Sequence, residues 1–313
     1  MAICSYAADT KPDPASLVRS ANEVSDLSRV LPHQLTGTVI LDPGGKNASA
    51  GTITVYRDRD QYRSDIELSG KRRIWLKLGN KIYLSNPSPL AFFGLESLRD
   101  IENAWRESWV DSRETKFSHA TQKKAFGADV WCITEKHRDY DPVTVCFNAV
   151  LGVMVSTGNN ENRYEFSDFQ TLEGQKYPGN IRRFKNGKLV FEVRNLRAQS
   201  GAVPQDVFKA LEDAREFMDC ENMVEPKLLT SANLLPRHPV AAGKWMRIFI
   251  YGIIGEDGTL TDIKVASVPL NPTIDQLVGQ AAAQRRYSPA MCGEKPVAHE
   301  TFTEIETQTP ILR

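Results

Sequence analysis

The stretch "RRYSPAMCGEKPV", residues 285 to 297, sets Cys292 between a Pro-Ala pair and a glycine turn, with His238 and His299 as the nearest candidate bases in the sequence. A thiol nucleophile needs a base within reach and an oxyanion site, and neither histidine stands at the spacing of a recognised nucleophile motif. Asp58, Asp60, Asp65 and Glu67 form a second concentration of chemistry. Their alternation with Tyr62 and Ile66 fits an exposed sheet face better than a pair of catalytic carboxylates. The "EKHRDYD" run around His137 reads as a solvated hairpin end. "GNKIY" and "GEDG" lack the spacing of a phosphate-binding loop. No catalytic residue, metal or cofactor is expected, and a hydrolase is kept as the minor alternative.

The remaining cysteines point to structure. Cys132 and Cys146 sit in "VWCITEKHRDYDPVTVCF", two short β-branched segments around a polar turn, the pattern of an antiparallel hairpin. A disulfide across it is favoured over free thiols, and both over metal, because no CxxC pair or Cys/His quartet is nearby. It would close a loop of about 15 residues, worth on the order of 3 kcal/mol in the chain-entropy model. Cys4 is either close to an original lipidation site or an unpaired terminal cysteine.

These residues must be held by elements of two kinds. "DPASLVRSANEVSDLSRVL" places Asp13 as N-cap, Pro14 at the first helical position and Leu17, Ala21, Val24, Leu27 and Leu31 on one face of a helix. The period then changes to two: Ile53 with Val55, Ile74 with Leu76 and Leu78, and Ile82 with Leu84 describe a meander of strands. Helical spacing returns through Leu98, Ile101, Trp105 and Trp109, and again through Val207, Leu211, Ala214 and Phe217 or Met218. Between them, Asn186-Gly187 joins two strands as a hairpin. Beyond a Pro-rich crossing, the order is strand, Asp257-Gly258 turn, strand, helix, strand. The domains are expected at 15–200, with a helical linker at 201–225 and a small α/β domain at 226–313.

The 313 residues carry 39 basic and 39 acidic side chains, so no net field draws the protein to nucleic acid, and a 41% hydrophobic composition supplies two cores. No segment approaches the roughly 20 apolar residues of a membrane span. The start is too short in apolar residues for a secretory signal, but a mature chain would have lost one, so periplasmic or other extracytoplasmic residence and an anchor in the precursor stay open.

The C-terminal third resembles the C-terminal domain of the TonB family. "IIGEDGTLTDIKV", "IDQLVGQAAAQRRYSPA" and "GEKPV" match its pattern at Asp257, Gly258, Ile274, Asp275, Tyr287, Pro289, Ala290, Gly293, Pro296 and Val297, over about residues 220 to 306. It departs from an energy transducer in having no membrane helix or long Pro-rich spacer ahead of it. In this setting Tyr287 seals helix against sheet and Cys292 lies in a turn, where a bridge to Cys220 would staple the domain's lead-in to its terminal hairpin.

Residues 15 to 198 resemble periplasmic lipoprotein carriers and lipoprotein-sorting proteins, through the initial helix, "GTVIL", "AGTITVYRDRDQYRSDI", "KLGNKIYLSNP" and "YEFSDFQTLEGQKYPGNIRRFKNGKLVFEV". That resemblance implies a curved antiparallel half-barrel with covering helices around an apolar cavity. Leu90, Phe92, Phe93 and Leu95 in "NPSPLAFFGLESL" then read as lid or pocket lining, with Trp75, Tyr83 and Trp105 as further candidates; the competing reading makes all of them core. The expected partners are an apolar ligand or lipidated protein, and another envelope protein through the C-terminal domain. The alternative is a purely structural envelope protein with a filled core.

Overall fold

A computed structural model describes residues 11–45, 48–85, 95, 98–106, 116–136, 141–220, 222–230, 245–268 and 270–308. The chain divides into two compact units, Met1–Gly70 with Gly94–Val207, and Lys71–Phe93 with Phe208–Arg313. Its strands are β1 (His33–Leu41), β2 (Ser49–Asp58), β3 (Gln61–Leu68), β4 (Lys71–Leu78), β5 (Lys81–Ser85), β6 (Lys116–Phe117), β7 (Thr121–Ala125), β8 (Ala128–Lys136), β9 (Val143–Asn148), β10 (Met154–Gly158), β11 (Asn162–Leu172), β12 (Gln175–Lys185) and β13 (Lys188–Ser200). There follow β14 (Arg215–Met218), β15 (Met223–Val224), β16 (Leu228–Thr230), β17 (Trp245–Ile254), β18 (Leu260–Val268), β19 (Arg286–Tyr287), β20 (Ala290–Cys292), β21 (Lys295–Val297) and β22 (His299–Gln308).

The first unit begins with α1 (Pro14–Val24), which starts where the sequence places it: the Asp13 carboxylate accepts from the Ser16 amide at 2.8 Å and Pro14 needs no partner for a missing N–H. It stops at Val24, and Leu27 continues in a short 3₁₀ turn. Within this unit the sheet runs β3-β2-β1-β13-β12-β11-β10-β9-β8, with β6 and β7 both paired to β8. Leu35, Val39, Ile53, Val55, Ile181 and Val193 are buried along it. A cluster of Val130, Cys132, Cys146, Val153 and Val155 takes in Val24 from α1.

The expected half-barrel is not formed. The sheet is large and antiparallel, but it is neither closed nor strongly curved; its strands follow one open path. Alternation of apolar and polar residues fixes which side of a strand is buried and is silent on how far a sheet coils. Coiling is set by bulges. Here the register breaks at isolated places, such as Thr36/Thr38 and Arg183/Phe184, against long regular ladders.

The second unit has three layers. The central sheet is β18-β17-β22, with α2 (Pro272–Ala283) in the connection between β18 and β22. Even-numbered side chains of β17, Met246, Ile248, Ile250 and Ile254, pack with Leu260 and with Ile274, Val278 and Ala282 of α2. Odd-numbered Tyr251 and Ile253 face the other way and pack with Leu84, Phe217, Trp75, Ile82 and Phe302. Those partners come from the strip β14-β5-β4 and from β22. The Asp257-Gly258 turn lies under the Tyr287 backbone: Gly258 has φ +76°, and a Cβ there would stand 2.0 Å from the Tyr287 carbonyl oxygen.

Two expected helices are absent from the described residues. Across 203–218 there is a 3₁₀ turn at Gln205–Phe208 and then β14, whose Phe217 lies opposite Ile82 on β5. A free sheet edge and an apolar cluster outcompete helical propensity there. Across 98–106 a 3₁₀ turn at Ile101–Asn103 replaces the long helix, and Trp109 lies outside the described residues.

Candidate functional site

Residues 95 to 106 carry the most apolar irregular segment that is described. Leu95, Leu98 and Ile101 are fully buried and Trp105 nearly so, although the backbone from Leu98 to Arg106 is a succession of turns. Irregular backbone has to be tied down by side chains. The Trp105 indole Nε1 donates to the Ser25 carbonyl at 3.3 Å, Arg106 pairs with Asp26 at 3.0 Å, and the Ser64 hydroxyl donates to the Leu98 carbonyl at 3.2 Å.

Glu102 is the main tether. Its two oxygens meet His33 Nε2 on β1 and Arg57 Nη1 on β2, each at 2.8 Å. His33 is wholly buried and its Nδ1 lies 2.5 Å from the Val30 carbonyl. A carbonyl only accepts, so Nδ1 is the nitrogen that donates to Val30, and Nε2 faces the Glu102 carboxylate. Burial works against the Arg57 charge, and Glu102 and Asp100 more than offset it, holding the guanidinium above its ordinary range. Arg57 lies 5.4 Å from the Tyr62 ring centre. Burial, with Asp100 and Glu102, pushes the Tyr62 hydroxyl well above its usual pKa. The network is a clamp on the 95–106 segment: its charges are consumed by one another.

The other sequence-derived candidates separate. Trp75 belongs to the apolar cluster of the second unit. Tyr83 stands on the opposite face of the β4-β5 pair, since Trp75 is level with Leu84 and Tyr83 with Leu76. Its hydroxyl pKa is raised by a hydrogen bond to Glu216. Trp105 is in the first unit. Leu90, Phe92 and Phe93 lie outside the described residues, as do His137 and His238.

Both disulfides are present. Cys132–Cys146 joins directly opposed residues of β8 and β9, and Cys220–Cys292 ties the segment before β15 to β20. With its sulfur in that bond, Cys292 has no thiol to act as nucleophile. Cys4 lies outside the described residues. Of the four carboxylates, Asp65 is taken by Arg63 at 2.7 and 3.0 Å, and Arg63 also donates to the Val207 carbonyl. Among the described residues no group of His, Cys, Asp or Glu could hold a metal ion, and no helix is long and apolar enough to cross a membrane.

Sequence reasoning missed a second clamp. Arg73 on β4 and Glu300 on β22 form a buried ion pair inside the second unit, with the Arg73 guanidinium 5.2 Å from the Phe302 ring centre. Tyr251 joins them: burial first, then Glu300, raises its pKa. The partners are 227 residues apart, and each sits in an ordinary-looking charged strand, so no local signal marks them.

No family model matches the chain, and no curated protein matches it. Among solved structures it is similar to a LolA superfamily protein, NE2245 from Nitrosomonas europaea, at 12% identity and TM-score 0.43, covering 62% of this chain and 96% of that one. A putative outer membrane lipoprotein-sorting protein domain from Vibrio parahaemolyticus gives 12% and 0.41, with coverages of 61% and 94%. The MucA/MucB complex of Pseudomonas aeruginosa gives 12% and 0.31, covering 86% of this chain and 97% of that one. The likeness to LolA-type proteins is distant and transfers no site or ligand. The TonB likeness remains one of sequence pattern.

Proposed function

We propose that this is a non-enzymatic, extracytoplasmic envelope protein whose first unit engages an apolar ligand or the acyl part of a lipidated partner, and whose C-terminal module contacts another envelope protein. The observation that carries the reading is the burial of Leu95, Leu98, Ile101 and Trp105, the last three from a strip of turns at 98–106 fixed largely through Glu102. Such a strip costs less to displace than a continuous helix, and apolar burial of about 25 cal/mol per Å² would reward an acyl chain taking its place. The two disulfides support residence in an oxidising compartment. The competing reading, a filled scaffold, is favoured by the 2% exposure of Trp105.

Calorimetric titration of the oxidised protein with fatty acids, phospholipids and lipopeptides decides between them. The carrier reading expects saturable heat, and tighter binding by Glu102→Gln, in which the clamp is weakened. No heat with any apolar ligand, in wild type and variant alike, leaves the scaffold.

A further inference from the structure

Two neighbouring hairpin tips of the first unit break the polar habit of the other turns. In the tight hairpins the left-handed position is held by Arg59, Ser69, Glu173 and Asn186. In the β7–β8 turn it is held by Phe126, φ +54°, 46% exposed. A bulky aromatic in that conformation is strained, Asn or Gly being the residues it suits, and a ring left nearly half exposed recovers only part of what full burial would give. The β9–β10 turn beside it carries Val150 at 89% and Leu151 at 38% exposure. Register places the two tips together: Ala125 is opposite Ala128, Val130 is opposite Asn148, and the Ala149 amide donates to the Asp129 carbonyl at 2.9 Å. Adjacent strands lie about 4.8 Å apart, so the tips project side by side.

Lysines surround them. Lys123 and Lys124 are exposed on β7, and Lys176 reaches from β12 to donate from Nζ to the Leu151 carbonyl at 2.6 Å. Exposed Asp129 and Glu173 partly balance them, leaving a small positive excess. Three exposed apolar side chains are far fewer than the roughly 20 to 30 residues a side of a stable protein interface. Three apolar side chains at the end of a sheet, with lysine stems able to lie along hydrocarbon while their ammonium groups stay wet, suit a shallower medium.

We propose that the Phe126 and Val150–Leu151 tips seat the protein on an anionic lipid bilayer surface, the apolar side chains entering the interface and Lys123, Lys124 and Lys176 meeting lipid phosphates. Contact of this size is weak and reversible, one of the two signals that stable membrane residence takes. It holds independently of whether the first unit binds an apolar ligand.

The test is co-sedimentation of the full chain with vesicles of phosphatidylglycerol and phosphatidylcholine, and of phosphatidylcholine alone, at millimolar lipid. Wild type should bind the anionic vesicles more tightly, and salt should narrow the difference. Val150→Trp should tighten binding several-fold, tryptophan being favoured at the interface. Phe126→Asn with Val150→Thr should weaken it by about fivefold or more while keeping a cooperative thermal transition, because Asn suits the left-handed position. Lys123→Glu with Lys124→Glu should abolish the preference for anionic lipid. Absence of binding by both wild type and Val150→Trp overturns the proposal, as does wild-type binding by a folded Phe126→Asn/Val150→Thr protein. Self-association of the wild type that this double variant abolishes overturns it in favour of an interface between copies.

Discussion

Glu102 shows how one carboxylate holds a segment that has little regular structure of its own. Removing it as Glu102→Ala would leave His33 and the Arg57 guanidinium in a buried site without their shared partner. Breaking a buried pair from one side costs about 3 to 5 kcal/mol, and this should appear as a lowered urea midpoint for the first unit. A loss under about 1 kcal/mol would mean that water takes the place of the carboxylate. Asp257 gives a pH-dependent case on an exposed turn. Hydrogen bonds from the Thr259 hydroxyl and amide hold its pKa below the ordinary value. A depressed folded-state pKa stabilises above the unfolded-state value near 4 and ceases to do so as pH falls through the folded one. The midpoint gap between wild type and Asp257→Asn should therefore be present at pH 7 and close on acidification toward pH 2; a gap independent of pH would refute it. The Asp257 turn was legible in sequence because its partners are two residues away. Glu102 was not, because His33 is 69 residues away and nothing in "DIENAW" announces it.

The elements that could be read from sequence were those whose signals are local. Asp13-Pro14 capped α1, Asn186-Gly187 turned a hairpin, and the spacing of Cys132 and Cys146 matched opposed strands. The segment at 203–218 has helical spacing just as good, yet Phe217 and Arg215 pair with β5. What decides its state is a sheet edge contributed by residues 81–85, which a window of local sequence does not contain. The same distinction orders the disulfides. Cys132–Cys146 spans 14 residues within a hairpin and Cys220–Cys292 spans 72. Loop entropy then assigns the second the larger contribution, about 4 against about 3 kcal/mol. Denaturant titrations of Cys132→Ala/Cys146→Ala and Cys220→Ala/Cys292→Ala should rank them in that order. The reverse ranking would show that packing around Cys132 and Cys146, both buried in the first unit, outweighs chain entropy.

At the scale of the whole molecule, the chain assembles its second unit from two distant stretches, 71–93 and 208–313. From sequence, 220–313 has every signal of a module that folds alone: two strands and a turn, a capped helix and a last strand. Those signals account for one side of the central sheet, where α2 covers Ile248, Ile250 and Ile254. They are silent about the other, where Tyr251, Ile253 and Phe302 need Trp75, Ile82, Leu84 and Phe217, and Glu300 needs Arg73. Uncovering such side chains forfeits about 1.5 to 3 kcal/mol each when burial is complete, and Glu300 would lose its pairing with Arg73. The sum is comparable to the roughly 5 kcal/mol that a small domain has in hand. Fragment 220–313, oxidised, should therefore lack a cooperative urea transition and bind a dye for exposed apolar surface. A single chain joining 71–93 to 208–313 through a flexible linker should recover both cooperativity and dye exclusion, and Arg73→Ala in that chain should lower its midpoint. If 220–313 alone unfolds cooperatively and excludes the dye, the covering strands are an accessory to a module that is already complete, and the sequence-level boundary is the physical one.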